Sequence, residues 1–364
     1  MQKKRIAFVI YSLSSGGAER VISTLANSLE KEFEIFIITL VKTQPFYPLE
    51  KSIRLLYCAE NPKERTNPIK SAIDGLNRIR TLSKIIKSNN IRLTISFMTS
   101  SNIYSVWASK WCGIPCIISE RANHNIDKPP KLLALARDYS YKLCNYLVVQ
   151  TEGNKMFYHK TLSPSKIIVI PNPLSKSLAS KRNLDQVQKE KIILNVGSFK
   201  EGKAQDLLIR AFSKLNTDNW RLVFVGDGKN RPKFVDLVNK LMLQDNIQFV
   251  GKQQEIHEYY NKSSLFVFTS EHEGFPNALL EALSFGIPSI STNCEHGPSD
   301  LIKDGYNGFL IPVGDQPSLE QKMALLMKDT DLQHKFRKNA ISSTKRYEVD
   351  SIISLWRNYI NELI

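Results

Sequence analysis

The chain has 364 residues, 42% apolar and 23% charged, ordinary for a globular protein and, at roughly 150 residues per domain, enough for two domains. No apolar run approaches the ~18 residues that span a bilayer, and five scattered cysteines exclude a disulfide framework. The net charge of +15 is lopsided: residues 1–187 hold 28 Lys and Arg against 13 Asp and Glu, whereas residues 188–364 hold 22 of each. Such an imbalance points to an anionic partner for the first half: nucleic acid, an anionic membrane or a phosphorylated substrate.

The opening MQKKRIAFVIYSL is basic, then apolar, but SSGGAER follows it without a small-residue cleavage site, so it reads as a buried strand entering a glycine turn rather than as a leader. ERVISTLANSLEK is a helix, and FEIFIITL a second strand. Residues 68–87 form an amphipathic helix: Ile69, Ile73, Leu76, Ile79, Leu82, Ile85 and Ile86 recur at helical spacing, with Lys70, Arg78, Arg80, Lys84 and Lys87 between them. RLTISFM, PCIIS and YLVVQ are further strands; Cys112 and Cys116, either side of a Gly-Ile-Pro turn, are reduced cysteines without a second pair to make a zinc site. Prolines, serines and charges interrupt the pattern at about 171–190. The scheme then repeats with KIILNVG, WRLVFVG, IQFVG, SLFVFTS and IPSIST. Near-continuous apolar strands separated by helices imply parallel sheets covered on both faces, hence two doubly wound α/β domains. Ligands of such sheets bind beyond the carboxyl ends of the strands, so two facing sheets predict an interdomain cleft.

Three segments carry candidate chemistry. Ser14-Ser15-Gly16-Gly17-Ala18-Glu19 joins the first strand to the first helix, and reads either as a plain turn or as backbone N–H groups offered to an oxyanion. It is neither a GxGxxG nor a Walker loop. Ser119-Glu120-Arg121-Ala122-Asn123-His124 follows the strand PCIIS at a carboxyl end. In Ser270-Glu271-His272-Glu273-Gly274-Phe275-Pro276-Asn277-Ala278-Leu279-Leu280-Glu281-Ala282, a strand delivers a polar loop, and Pro276 stands where a helix begins. Glu273 then precedes the helix and Glu281 lies in its second turn, while N–H groups of Gly274, Phe275, Asn277 and Ala278 surround its start. Carboxylates accept from sugar hydroxyls and N–H groups donate to phosphate, although the helix macrodipole alone also explains an acidic start. Two matches carry no chemistry: Asp329-Thr330-Asp331 lies in a polar break away from any strand end, and Asn261-Lys262-Ser263 is a chance sequon.

Glu273 and Glu281, with seven residues between them, resemble the E-x7-E motif of retaining GT-B glycosyltransferases of family 4. GGAER, VGSFKEGKAQDLLIRAF at 196–212, VGDG at 225–228 and GPSDLIKDGYNGFLIP at 297–312 follow the family's order from the first strand to the last helix. Within the family the chain is most similar to bacterial N-acetylgalactosamine transferases that extend undecaprenyl-diphosphate-linked saccharides. The resemblance implies an acceptor-binding Rossmann-like domain at 1–175, a nucleotide-sugar-binding one at 190–345, and a helix at 346–364 returning to the first domain. It implies that Gly16 and Gly17 approach the donor diphosphate and that Lys203 neutralises it. Glu273 binds donor-sugar hydroxyls in a site lined by Gly274, Phe275, Pro276 and Asn277, and Glu281 holds the ribose. Ser198 departs from the pattern, since relatives often place Arg there; Arg121 is the basic residue expected to compensate, and Glu120, Arg121 or His124 to reach the donor sugar. The implied activity is metal-independent hexosyl transfer from a UDP-sugar, without a cofactor, to a lipid-linked saccharide. The site is expected on the inner face of the cytoplasmic membrane, against an anionic surface. The competing readings are a basic nucleic-acid-binding protein, for which no recognition signature is present, and a same-fold epimerase or hydrolase.

Overall fold

The computed structural model describes residues 3–61, 68–121, 129–184, 189–217 and 219–364. The chain divides into two compact units, Met1–Pro173 with Val349–Ile364, and Leu174–Glu348. In the first unit the elements run β1 (Arg5–Ile10), α1 (Gly17–Leu29), β2 (Glu34–Thr39), β3 (Arg54–Tyr57), α2 (Pro68–Ser88), β4 (Leu93–Phe97), α3 (Thr99–Cys112), β5 (Cys116–Ser119), α4 (Lys131–Tyr141), β6 (Tyr146–Val149), α5 (Glu152–Tyr158) and β7 (Ile167–Val169). The second holds α6 (Lys176–Ala179), β8 (Glu190–Val196), α7 (Gln205–Phe212), β9 (Arg221–Val225), α8 (Arg231–Lys240), β10 (Ile247–Phe249), α9 (Ile256–Lys262) and β11 (Ser263–Phe268). It continues through α10 (Asn277–Ser284), β12 (Ser289–Thr292), α11 (Pro298–Leu301), β13 (Gly308–Ile311), α12 (Gln316–Lys328) and α13 (Thr330–Thr344), after which α14 (Val349–Leu363) rejoins the first unit.

Both sheets are parallel and doubly wound, in the orders β3-β2-β1-β4-β5-β6-β7 and β10-β9-β8-β11-β12-β13. The fold class is therefore α/β, two Rossmann-like domains of the GT-B type. Strand order reverses between β1 and β4 in one unit and between β8 and β11 in the other, and a crevice opens at the carboxyl ends at such points. Period-two alternation explains the continuous apolar strands. Ile6, Phe8 and Ile10 face α1 and α14, while Ala7 and Val9 face Ile79, Leu82 and Ile86 of α2 on the other side. Likewise Leu222 and Phe224 pack with α7 and α8, and Val223 and Val225 with α10. The expected strands all form. The structure adds β3, β7 and β13, each at an edge and only three or four residues long; β3 is mostly exposed, while β7 and β13 are buried but too short to show a period.

α14 belongs to the first unit because its apolar stripe, Ile352, Ile353, Trp356 and Ile360, completes that core, with Trp356 stacked on Phe97. Arg357 adds a two-pronged pair with Glu32 (2.8 and 2.7 Å). Among the described residues no helix is long and apolar enough to cross a membrane.

In the second unit Lys189 donates to the Tyr260 carbonyl (3.0 Å), and burial, with Arg337 adding to it, pushes its ammonium down from 10.5 to about 7. Below pH 7 the charge is carried in both folded and unfolded chains, and its cost to the fold is complete. Between about pH 7 and 10.5 the unfolded chain binds the extra proton, so stability rises with pH across that window. Lys189→Met removes the cost, so its advantage in melting temperature over the wild type is expected to be greatest at pH 7 and to shrink towards pH 10. An advantage independent of pH would show that Lys189 is ordinarily solvated.

Candidate active site

The crest of the second sheet is built from the loops that leave β8, β9, β11 and β12. The backbone of the β8 loop is fixed by close approach: a Cβ on Gly226 would lie 1.9 Å from the Gly197 carbonyl oxygen, so only glycine lets the VGDG turn seat there. Gly202 has φ +79°, and a Cβ on it would meet His272 at 2.2 Å, so the His272 imidazole lies directly over this glycine. The Glu271 N–H donates to the Gly202 carbonyl (2.9 Å) and the Thr269 hydroxyl to that of Lys203 (2.9 Å), tying the β11 loop to the β8 loop. Ala204 caps α7 at φ +46°, a left-handed conformation that costs a non-glycine residue of the order of 1 kcal/mol and that follows Lys203 directly.

These constraints bring Lys203 and Glu273 together across the switch point. The Lys203 ammonium donates to Glu273 Oε1 in a largely buried pair, 5.6 Å above the Phe268 ring. Glu281 is buried in the second turn of α10, and its Oε2 accepts from the Tyr260 hydroxyl (2.9 Å) of α9. The helix start differs in detail from the sequence expectation. Pro276 is the N-cap rather than the first helical residue, and the Asn277 N–H is already given to the Phe275 carbonyl (3.0 Å). The Phe275 ring is buried against Tyr347, so only its backbone faces the loop, and Gly274 stands between it and Glu273. Ser198 is exposed, and its carbonyl accepts from Gln205 (3.2 Å).

Two neighbours were not singled out in the sequence. Cys294, after β12, lies in the field of Glu273; burial first and that carboxylate second push its thiol up to about 12, so it stays protonated. Gly297 abuts Pro276, where a Cβ would come within 2.4 Å of the proline ring, and this seats the 293–297 loop against α10. Both follow a strand whose carboxyl end faces the crevice, and that topological rule was the signal available for them. The rejected motifs have local roles: Asp329 caps α13 through the Leu332 N–H (2.8 Å), and Asn261 holds the Lys181 carbonyl (2.9 Å).

In the first unit, Gly16 caps α1 in extended conformation, and the Glu19 carboxylate folds back over it, 2.2 Å from where a Cβ would lie. The helix start therefore already has an anion of its own at the third helical position. Glu120 is buried, accepts from Thr99 (3.0 Å), Tyr141 (2.5 Å) and the Arg121 N–H (3.1 Å), and is linked through Tyr141 to Asn102 and Ser96. Arg121 lies over the Phe97 ring (4.7 Å) and gives Nη1 to Asn172 (2.5 Å), which also accepts from Gln150 (2.9 Å). Its Nε and Nη2, the side-on fork suited to carboxylate or phosphate, are buried without a partner among the described residues. Burial pulls this guanidinium down to about 9, against the opposing pull of Glu120. His124 lies outside the described residues.

A buried fork without a partner among the described residues costs the fold free energy that an anion placed on it would recover. Arg121→Met is therefore expected not to lower the melting temperature while reducing activity. A drop of several degrees with activity retained would make Arg121 a structural cation.

A family model described as glycosyl transferases group 1 matches residues 177–343. The chain is 30% identical over 362 residues, 99% of each chain, to a Campylobacter jejuni α-1,4-N-acetylgalactosaminyltransferase whose name specifies a GalNAc-GalNAc-diNAcBac-PP-undecaprenol substrate. It is 26% identical over 358 residues, 95% of this chain and 96% of the other, to the same organism's 4-α-N-acetylgalactosaminyltransferase for N-acetylgalactosamine-N,N'-diacetylbacillosaminyl-diphospho-undecaprenol. In fold it matches the lipopolysaccharide outer core galactosyltransferase WaaB (TM-score 0.79, 20% identity, 99% and 100% of the two chains). It matches Anabaena HepE in complex with UDP similarly (TM-score 0.81, 17% identity, 99% and 100%).

Proposed function

The chain belongs to the group 1 glycosyl transferases, and we propose that it transfers a hexose or N-acetylhexosamine, with retention of anomeric configuration, from a UDP-sugar to a hydroxyl of a lipid-diphosphate-linked saccharide. The observation that carries this reading is the Lys203–Glu273 pair at the switch point, with Glu281 eight residues after Glu273 in the second turn of α10. The UDP donor is supported by the fold neighbour solved with UDP, and the acceptor by the undecaprenyl-linked substrates in the relatives' names.

In this reading the pair divides on donor binding. Glu273 turns to the sugar hydroxyls and Lys203 to the diphosphate, where its charge stabilises the departing UDP without a metal. Glu281, positioned by Tyr260, accepts from the ribose hydroxyls. Gly17 and Ser198 offer backbone donors, whereas the Gly16 N–H is already given to the Ser14 carbonyl (3.1 Å), and the Arg121 fork adds a second cation in place of the missing arginine at 198. Glu120, wrapped by Thr99 and Tyr141, is a positioning residue for Arg121. With no carboxylate assigned to the far face of the sugar, the leaving phosphate takes the acceptor proton as the new glycosidic bond forms on the face that UDP leaves. The protein works at the inner face of the cytoplasmic membrane, as a family 4 enzyme without a cofactor.

Glu273→Gln is expected to lower kcat chiefly, because its partner is the group that moves, and Glu281→Gln to raise the donor KM chiefly, because the ribose is remote from the reacting bond. Lys203→Ala should cost on the order of 10²-fold in kcat, the scale of one electrostatic donor. Wild-type kinetics in all three would remove the site from the crest of the second sheet. Mass spectrometry of a donor panel against a lipid-diphosphate saccharide tests the reaction itself, and UDP release that is independent of acceptor would favour a hydrolase or epimerase. Activity is expected to survive EDTA; an absolute need for Mg²⁺ or Mn²⁺ would overturn the metal-free scheme.

A further inference from the structure

In the first unit α3 lies between α2 and α4, and the three form one layer on the sheet. α4 is inside-out. Its inward face carries Arg137, Ser140 and Tyr141, all buried, with Arg137 paired to Asp138 (2.8 Å) and lying over the Phe157 and Tyr158 rings. Its outward face carries Leu132, Leu135 and Tyr139, which are 73%, 68% and 62% exposed. They stand at i, i+3 and i+7, so they form one stripe. Tyr139 is held in place by stacking on Trp107 of α3 (6.1 Å), whose indole donates to Ser140 (3.0 Å). Beside the stripe, α3 exposes Trp111, and α2 exposes Ile73 and Leu76.

The exposed charges around these apolar groups are basic, and Asp74 of α2, between Ile73 and Leu76, is a half-buried carboxylate. Lys110, Lys131 and Lys142 are exposed next to the stripe, and Arg80, Lys84 and Lys87 are exposed along α2, whereas Arg78 turns inward over the Tyr11 ring. Among the described residues of 98–145 the carboxylates are Glu120, buried, and Asp138, paired to Arg137. The unit as a whole holds 26 Lys and Arg against 14 Asp and Glu. Apolar side chains fringed by exposed Lys and Arg, with the carboxylates among the described residues there (Asp74, Glu120, Asp138) half-buried or buried, suit an interface of acyl chains under anionic headgroups. A second copy of the chain suits it less, because a two-fold contact would set lysine rows against each other.

We infer that the outward face of the α2–α3–α4 layer is a bilayer-docking surface, in which Leu132, Leu135 and Tyr139 enter an anionic leaflet while the α2 cations supply the long-range attraction. The inference deepens the proposed reading, which places the acceptor in a membrane, but its test needs no sugar substrate. The full chain is sedimented with phosphatidylcholine vesicles, with or without phosphatidylglycerol, at low and raised salt. The wild type should bind the anionic vesicles, with a fraction resisting salt. L132S/L135S/Y139S should lose that fraction and weaken partitioning by on the order of 10²-fold, whereas R80Q/K84Q/K87Q should lose mainly the salt-sensitive part. These side chains are solvent-facing, so both variants should keep the wild-type circular dichroism. L135W supplies a probe that does not depend on loss of function, since its emission should shift to the blue with anionic vesicles. No vesicle binding by the wild type, unchanged sedimentation of the apolar variant, or an unshifted L135W emission would each overturn the inference. A dimer in solution abolished by L132S/L135S/Y139S would overturn it too, by assigning the stripe to a second copy. Transfer to a detergent-dispersed acceptor is expected to be unaffected in the apolar variant. Its failure in the wild type would count against the glycosyl-transfer reading and not against this one.

Discussion

The ion pair between Lys203 and Glu273 spans the point where the strand order of the second sheet reverses, and the loops after β8 and β11 are shaped to deliver it. β8 and β11 are neighbours in the sheet but lie some seventy residues apart in the chain, so the two side chains meet only after the parallel pairing is complete. The left-handed Ala204 is a local strain, whereas Gly226 and Gly202 admit the Gly197 carbonyl and the His272 imidazole without strain because they lack a Cβ. The surrounding core, with Phe199, Phe224 and Phe234 packed edge to face, fixes the loops from below. A largely buried ion pair is a poor source of net stability, because desolvation offsets most of its attraction. Its value is positional: both partners are held within reach of any ligand offering an anion to one and hydroxyls to the other.

The first unit solves the opposite problem. Its crest carries a buried carboxylate and a buried guanidinium on consecutive residues, Glu120 and Arg121, and treats them unequally. Glu120 receives two hydroxyls and an N–H, whereas among the described residues Arg121 is met only by the Asn172 oxygen, on its far nitrogen. A structural arginine would be saturated. One held rigid by a ring below, an amide beside it and a fully occupied carboxylate next to it in the chain is arranged to meet an oxyanion without reorganising.

The sequence carried the strand and helix periodicities, the reversal of strand order they imply, and the placement of Glu273 before α10 with Glu281 inside it. These are local patterns, and Glu281 lies buried one turn into the helix, as its spacing from Pro276 implies. Partners that arrive through tertiary contact were not legible: Tyr260 reaches Glu281 from α9, Tyr141 reaches Glu120 from α4, and Cys294 comes to Glu273 from another strand end. Glu19 is an intermediate case, since a Glu three residues after a helix cap is a capping-box position and reads equally as structural. β3 escaped because exposure erases its alternation, with three of its four residues exposed, and β7 and β13 because three or four buried residues are too short to show a period.

Helical periodicity has a further blind spot, and α4 exposes it. A stripe at i, i+3 and i+7 states that one face is apolar, but not that this face turns inward. In α2 the rule holds for Ile79, Leu82 and Ile86, which enter the core, while Ile73 and Leu76 stay outside. In α4 the buried places are taken by Arg137, Ser140 and Tyr141, which the aromatic rings of Phe157 and Tyr158 and the carboxylate of Glu120 accommodate. The leucines are left on the surface because the crest beneath needs Tyr141 for Glu120, and Glu120 to position Arg121. The apolar face of α4 is thus the outward consequence of a polar requirement inside. A net charge spread over the first unit is screened beyond ~8–10 Å at ordinary ionic strength, so it acts on whatever lies against these helices, while recognition in the crests is left to single, largely buried side chains.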